Sequence, residues 1–209
     1  RKDGELGTEL VNGDKIVVEY FEPKSVKFHG NFRISNVIHG YRSLSSIQHS
    51  LAKGLNSSGD CNIDVNCPLG VGWDNEIRSV AMIVVNGNGI CTGALINNTC
   101  NDGTPYFLTA DHCLGGSTGS WAFRFNWESP PGTESFATTA GSTDPGPPYD
   151  QTANGATILT NSSASDYALL EINNMTLSDA QSWNCFFAGW DASDLTTVTE
   201  ATGIHHPSG

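Results

Sequence analysis

The chain has 209 residues and a formal net charge of −12. So acidic a surface would repel phosphate backbones, which argues against nucleic-acid binding. Apolar residues make up 38% of the chain, which is enough to form a core. Charged residues make up only 15%, which argues against a disordered acidic tail. The longest uninterrupted apolar run, Val80 to Val85, is far shorter than the roughly 20 residues of a membrane span. We therefore expect neither nucleic acid nor a membrane as a partner.

The charge divides the chain into two unequal parts. Residues 1–53 hold eight of the ten basic side chains and have a net charge of +2, whereas residues 54–209 have a net charge of −14. All five lysines lie in the first part, and the last of them is Lys53. A shift of this size predicts a boundary between two segments at Lys53–Gly54.

Short segments rich in β-branched and aromatic residues recur along the chain, separated by turn sequences such as Asn101-Asp102-Gly103. None has the 3.6-residue apolar period of a helix, and 128–155, rich in Gly, Pro, Ser and Thr, is predicted to be a long surface loop. In Trp121–Trp127 aromatic residues alternate with others, which predicts one buried face. The predicted class is all-β, a barrel or a sandwich. The predicted strands are Lys15–Phe21, Phe32–Ile38, Ile77–Val85, Ile90–Asn97, Tyr106–Ala110, Trp121–Trp127, Ala156–Leu159, Tyr167–Ile172 and Cys185–Trp190.

One histidine directly follows a predicted strand and precedes a cysteine. The string Tyr106-Phe-Leu-Thr-Ala-Asp-His-Cys113 carries His112 at the end of a buried strand. Cys91 opens another strand, and a Cys91–Cys113 bond would close a loop worth about 3 kcal/mol of stability. Such a bond would fix the backbone beside His112, as a catalytic base requires. The alternative is that His112 only caps a strand next to a structural disulfide.

An acidic residue precedes a later strand in Ser165-Asp166-Tyr-Ala-Leu-Leu-Glu-Ile172. A carboxylate at Asp166 could accept the proton of one imidazole nitrogen, which fixes the tautomer and stabilises the imidazolium that forms during acyl transfer. On its own, an aspartate in this position is more often a turn residue. Asp111, next to His112, can hardly reach the far nitrogen of that ring, and we expect it to be a solvated loop carboxylate.

Four motifs carry a resemblance when they are taken in chain order: Cys91-Thr-Gly, Thr109-Ala-Asp-His-Cys113, Asp166-x-Ala-Leu-Leu170 and Cys185-x-x-x-Gly-Trp190. They resemble the trypsin-like serine endopeptidases. Further strings, Ser58–Pro68, Leu95–Thr99, Ala188–Asp191 and Ile204–Pro207, resemble the bacterial lysyl endopeptidase branch. The resemblance implies two antiparallel β-barrels with the active site between them, His112 as general base and Asp166 as the carboxylate that orients it. It implies no cofactor and no metal.

The resemblance also divides the chain into domains. Residues 1–53 would be the C-terminal part of a β-rich pro-region, 54–175 the first barrel with the histidine and the aspartate, and 176–209 the linker and first strand of the second barrel. The family's nucleophile lies in a Gly-Asp-Ser-Gly string of the second barrel, and these 209 residues contain no such string. We therefore expect a truncated chain that hydrolyses no peptide by itself, because a base without its nucleophile loses most of the rate.

All six cysteines lie in the second part, without the paired Cys-x-x-Cys spacing of a metal site. This favours disulfides in an exported protein, and the alternative is free buried thiols. Cys91–Cys113 resembles a bridge of the family. The family partners of Cys61 and Cys185 would lie beyond this sequence. The lysyl-branch partner of Cys67 has no counterpart here, and Cys67–Cys100 is a substitute pairing.

The resemblance to the lysyl branch implies cleavage after lysine, and the lysine distribution fits such an enzyme. A protease that cuts after lysine gains from having none of its own, and 54–209 has none. The alternative is that an acidic exported protein uses little lysine, since arginine is nearly as scarce there. We expect a secreted enzyme, protein or peptide substrates, autocatalytic cleavage after Lys53, and a pro-segment 1–53 that rests against the acidic body.

Three other functions compete with this interpretation. Gly115-Gly-Ser-Thr-Gly119 matches the nucleophile elbow of α/β-hydrolases, with Ser117, Asp166 and His205 in their chain order, but the elbow needs a helix where a strand is predicted. His205 and His206 with an acid could bind a metal, although adjacent histidines before a proline are more often a loop. A trypsin-like barrel without a nucleophile could also be a catalytically inactive binding protein.

Overall fold

The computed structural model describes residues 15–27, 30–34, 37, 62–85, 89–128, 151–193 and 197–207. Within them the chain is mostly β-structure, as the sequence predicts, and none of its helices is long and apolar enough to cross a membrane. The predicted boundary at Lys53–Gly54 lies outside the described residues. The elements are α1 (Asp74–Ser79), β1 (Val80–Val85), β2 (Gly89–Ile96), β3 (Tyr106–Thr109), β4 (Ala122–Phe125), β5 (Thr152–Asn154), β6 (Ala156–Ser162), β7 (Tyr167–Ile172) and α2 (Leu177–Ser182).

The seven strands form one antiparallel sheet in the order β5-β4-β1-β2-β3-β7-β6. Its edge strands, β5 and β6, are consecutive in the chain and only Gly155 separates them. The N–H of Gly155 donates to the carbonyl oxygen of Trp121 beside β4, and its carbonyl accepts from the N–H of Asn173 beside β7. Gly155 makes this bend with a φ of +71°, where a Cβ would lie 3.0 Å from the Gly119 carbonyl oxygen. The continuous segment of β5, Gly155 and β6 thus pairs with β4 at one side of the sheet and with β7 at the other. The sheet therefore curls into a barrel.

The barrel interior is filled by alternate residues of its strands. Leu95 of β2, Phe107 of β3 and Leu170 of β7 are fully buried, and the rings of Phe107 and Phe123 meet edge to face with centroids 5.0 Å apart. Gly93 allows β2 and β3 to approach, since a Cβ there would press on Phe107 and lie 2.5 Å from a β3 carbonyl oxygen. This packing fixes β3 and β7, whose ends carry the predicted site.

The aromatic strand is buried on both faces, whereas its alternation predicts one buried face. Ala122 and Arg124 point away from the barrel interior and are still only 5% and 2% exposed. Asn126 adopts a left-handed φ of 50° that breaks the alternation. Trp127 consequently packs with Ala122 on the face away from the barrel interior. There the guanidinium of Arg124 lies 4.7 Å from the centre of a Trp127 ring. Alternation shows which residues share a face and does not show what covers the other one.

Two predicted strands of the basic segment form no strand where they are described. Residues 15–21 are irregular, and so are the described residues of Phe32–Ile38. Val17 and Phe21 are 94% and 79% exposed. These residues favour a strand, but no described strand lies beside them to pair with. A strand needs a partner as well as a propensity, and the prediction of a β-rich segment is wrong for the described part of 1–53.

Three other differences from the prediction lie in the second part. The predicted strand Ile77–Val85 begins as α1 and becomes a strand only at Val80. β5 falls inside the predicted loop 128–155. In place of the predicted strand Cys185–Trp190 there is a single parallel bridge between Ala188 and Ile96. β5 and the Ala188–Ile96 bridge each pair with residues that are distant in the sequence, and a local sequence pattern does not reveal such partners.

His206 fastens the last described segment to the barrel by a contact that should be sensitive to acid. Its backbone N–H donates to the Thr92 hydroxyl at 2.9 Å, and its Nε2–H donates to the Trp127 carbonyl oxygen at 2.8 Å. Burial lowers the pKa of His206 from 6.5 to about 4. Because the unfolded chain then binds the proton first, the free energy of unfolding should decrease between pH 6.5 and 4 by at most about 1.4 kcal/mol per pH unit.

Urea unfolding of His206→Gln at pH 7 and at pH 4.5 measures this contribution. We expect the variant to have a flatter pH dependence than the unaltered protein. His205→Gln is the matched control, since His205 is the exposed neighbour. It should change the pH dependence much less, because burial lowers the pKa of His206 more than the charge of His205 does. Equal pH dependence in both variants would contradict the assignment to His206.

Candidate active site

β3 brings His112 to one end of the barrel. The strand ends at Thr109, and a 3-10 turn, Asp111–Cys113, follows it. The Thr109 hydroxyl donates to the Thr92 carbonyl oxygen at 2.8 Å, and Cys113 is joined to Cys91 of β2 by a disulfide. Two cross-links to β2 therefore bracket the turn, and the side chain of His112, 71% exposed, extends from a fixed backbone.

The start of β7 lies beside this turn because β3 and β7 are antiparallel neighbours, with Thr109 opposite Ala168. The end of one strand and the beginning of the other are therefore at the same end of the barrel. Asp166 precedes β7 and has a φ of 50°, a left-handed conformation that aspartate adopts more readily than most residues. The strand order thus brings Asp166 to His112 across 54 residues of sequence.

Asp166 binds His112 with both carboxylate oxygens. Oδ2 lies 2.7 Å from the ring Nδ1, and Oδ1 accepts from the backbone N–H of His112 at 2.9 Å. The backbone bond first, and then the ring bond, hold the pKa of the Asp166 carboxyl below its ordinary value of 3.8. The carboxylate is ionised at neutral pH and can only accept, so Nδ1 carries the ring proton and Nε2 keeps a lone pair.

An imidazole in this tautomer can take up a proton at Nε2, and the carboxylate stabilises the resulting cation. The His112 and Asp166 side chains are 71% and 52% exposed, which leaves them accessible to reacting groups. Among the described residues, one group of three side chains has the spacing of a metal site, and it consists of Cys91, His112 and Cys113. Its two sulfurs are bonded to each other, so they offer no thiolate.

The Cys91–Cys113 disulfide should contribute measurably to stability, since it closes a loop of 22 residues. Replacing both cysteines by serine should lower the free energy of unfolding by about 3 kcal/mol on the loop-entropy estimate. Urea unfolding measures the change. Cys100→Ser is the matched control, because the thiol of Cys100 is free and exposed, and it should leave the stability unchanged. A double variant as stable as this control would contradict the prediction.

The other described cysteines are free thiols. Cys67 is buried and Cys100 is exposed, so the substitute pairing Cys67–Cys100 is wrong: one sulfur lies inside the fold and the other on its surface. Burial raises the pKa of the Cys185 thiol to about 12, which keeps it protonated and unreactive. Cys61 lies outside the described residues.

The two rival sites do not form in the described residues. The string that contains Ser117 leads into a 3-10 turn, Thr118–Ser120, and then into β4, so the helix of a nucleophile elbow is missing there. His205 and His206 belong to no described group of metal-binding side chains. The ring of His206 is instead hydrogen-bonded to the backbone of Trp127.

Asp111 is held in place, whereas the sequence predicts a solvated carboxylate. It is half-buried, and its Oδ1 accepts a hydrogen bond from Nδ2 of Asn161 at 2.6 Å. Asn161 carries no signal in the sequence, because its position beside Asp111 depends on how β6 pairs with β7. It is the residue of this site that sequence reasoning missed.

Comparison with known proteins agrees with the family resemblance that the motifs carry. The family model described as "Lysyl endopeptidase, C-terminal domain" matches residues 55–209, which include His112, Asp166 and the disulfide. The chain is also similar to the lysyl endopeptidase of Pseudomonas aeruginosa, with 26% identity over 212 aligned positions. That alignment covers 96% of this chain and 43% of the relative, so the chain spans less than half the length of the relative. On the family match, the chain belongs to the lysyl endopeptidase family.

Proposed function

We propose that the protein is a secreted serine endopeptidase that cleaves after lysine by a Ser-His-Asp acyl-enzyme mechanism. The observation that carries the proposal is the 2.7 Å contact between Nδ1 of His112 and Oδ2 of Asp166, in a chain of the lysyl endopeptidase family. In this proposal His112 is the general base, and Asp166 orients its ring and stabilises its protonated form.

In the proposed reaction, Nε2 of His112 removes the proton of a serine hydroxyl while the serine oxygen attacks the peptide carbonyl carbon. The C–N bond then breaks, and His112 gives the proton to the leaving amine. Water attacks the remaining ester with His112 again as base, which releases the acid and restores the serine. A relative more than twice as long, and the lack of Gly-Asp-Ser-Gly in these residues, support a serine in another part of the protein.

The distribution of lysine supports the proposed specificity and a precursor that processes itself. Residues 54–209 contain no lysine, and Lys53 stands immediately before them. Cleavage after Lys53 would release the basic segment 1–53 from an acidic body that the mature enzyme cannot cut. In this scheme 54–175 is the first barrel, and 176–209 leads into the second.

A catalytically inactive binding protein of the same fold is the second candidate. These residues contain no Gly-Asp-Ser-Gly string, and a barrel with His112 and Asp166 can persist after its nucleophile is lost, so the same observation is consistent with this candidate. The two candidates differ in a single property, namely whether the full-length protein has a reactive serine.

Labelling the full-length protein with a fluorophosphonate probe tests the proposal. We expect one labelled serine outside these 209 residues, and no label in the His112→Ala variant. Peptides that differ only by lysine or arginine at the cleavage site should show a higher kcat/KM for lysine. The processed protein should begin at Gly54. Absence of both label and hydrolysis would favour the binding protein.

A further inference from the structure

A second contact joins the two turns that carry His112 and Asp166. Nδ2 of Asn161 donates to Oδ1 of Asp111 at 2.6 Å, across 50 residues of sequence. Asp111 precedes His112 in the 3-10 turn, and Asn161 lies near the end of β6, the strand that leads into the Asp166 turn. The acyl-transfer steps make no use of this contact.

The register of the sheet explains how Asn161 reaches Asp111. Thr109 of β3, Ala168 of β7 and Asn161 of β6 lie in one row across three strands, and residues in one row point to the same face. The middle residue, Ala168, is fully buried and has only a methyl group. The amide of Asn161 can therefore extend over it to the turn that follows Thr109.

A β-bulge sets the face to which Asn161 points. The register shifts by one residue between Ile158 and Thr160, after which Asn161 pairs with Ala168. If the register before the bulge continued, Asn161 would pair with Tyr167. Its side chain would then point to the opposite face of the sheet. The bulge therefore directs the Asn161 amide toward the junction of the two turns.

We propose that Asn161 and Asp111 are positioning residues, whose hydrogen bond holds the Asp166 turn against the His112 turn so that the carboxylate keeps both of its bonds to the histidine. The catalytic consequence of this inference rests on the proposed function. The need for such a contact follows from exposure: the Asp166 and His112 side chains are 52% and 71% exposed, so water competes for their hydrogen bonds. The Asn161–Asp111 contact is itself exposed, and its effect is to limit the motions by which the two turns would separate and lose these bonds to water.

Activity of the full-length protein gives the first test. Asn161→Ala and Asp111→Ala should each lower kcat/KM by about 3–10-fold, the net value of an ordinary hydrogen bond in an exposed position. The fall should be in kcat, with KM unchanged, because neither side chain is assigned a contact with substrate.

Two further variants separate positioning from a general effect on structure. The double variant should lose no more activity than either single variant, because both remove the same bond. Asp111→Asn should restore most of the activity, since its amide oxygen can still accept from Asn161. Losses that multiply, or an Asp111→Asn as impaired as Asp111→Ala, would overturn the inference.

Hydrogen exchange tests the contact without any activity. The backbone N–H of His112 donates to Asp166, and its exchange rate should rise several-fold in Asn161→Ala while the melting temperature stays the same. An unchanged exchange rate would overturn the inference whatever the activity shows. If instead exchange rises but the unaltered protein and His112→Ala are equally inactive, the proposed function fails and the positioning contact stands.

Discussion

Full-length protein with alanine in place of His112 is expected to lose about 10⁴–10⁶-fold in kcat, the cost of removing the base from a catalytic triad. Without an imidazole, no described group beside Asp166 can take the serine proton at neutral pH. The disulfide and the Thr109–Thr92 bond should preserve the fold. Initial rates on a lysyl peptide, with the melting temperature measured in parallel, give the result.

His205→Ala is the control for this experiment, since it removes an exposed histidine outside the site. Its kcat and KM should equal those of the unaltered protein. A His112→Ala variant that keeps a tenth or more of the activity would exclude His112 as the base, and with it the proposed mechanism.

Asp166→Asn should lower kcat by about 10⁴-fold, the effect of such a change in a triad, while the protein stays folded. The asparagine Oδ1 can still accept from the backbone N–H of His112, but its NH₂ group then faces Nδ1. A donor in that place favours the tautomer with the proton on Nε2, which cannot accept a proton from serine. Single-turnover rates and circular dichroism separate the chemical effect from loss of structure.

Asp179→Asn is the matched control, because Asp179 is also held by hydrogen bonds that lower the pKa of its carboxyl, chiefly from the Thr176 hydroxyl. It forms a capping box at the start of α2, so its replacement should cost about 1 kcal/mol of stability or less, with kcat unchanged. Equal losses of kcat in the two variants would mean that Asp166 acts through folding alone.

The sequence predicts the strands of the barrel best where burial and propensity agree. The predicted and observed bounds of Tyr167–Ile172 are identical, and β3 differs from its prediction by one residue. Both strands are rich in residues that favour a sheet, and both have partners on either side. Residues 15–21 of the basic segment are also rich in residues that favour a sheet, but they have no neighbouring strand among the described residues and form none themselves.

The candidate site is predictable to a different degree at each residue. His112 and Asp166 stand at the ends of strongly patterned strands, so the sequence singles them out. That they meet depends on β3 pairing with β7, which no local pattern contains. The contact between Asn161 and Asp111 depends in addition on a one-residue bulge in β6, which the sequence does not reveal.

The bridge between β2 and the His112 turn makes the geometry of this histidine dependent on the thiol chemistry around the protein. A disulfide persists in oxidising surroundings and is lost where glutathione keeps cysteines reduced. With the disulfide reduced, one of the two cross-links that bracket the turn would be lost. The hydrogen bond from the Thr109 hydroxyl to Thr92 of β2 would remain. The same polypeptide should therefore hold its imidazole less firmly in a reducing compartment than in an oxidising one.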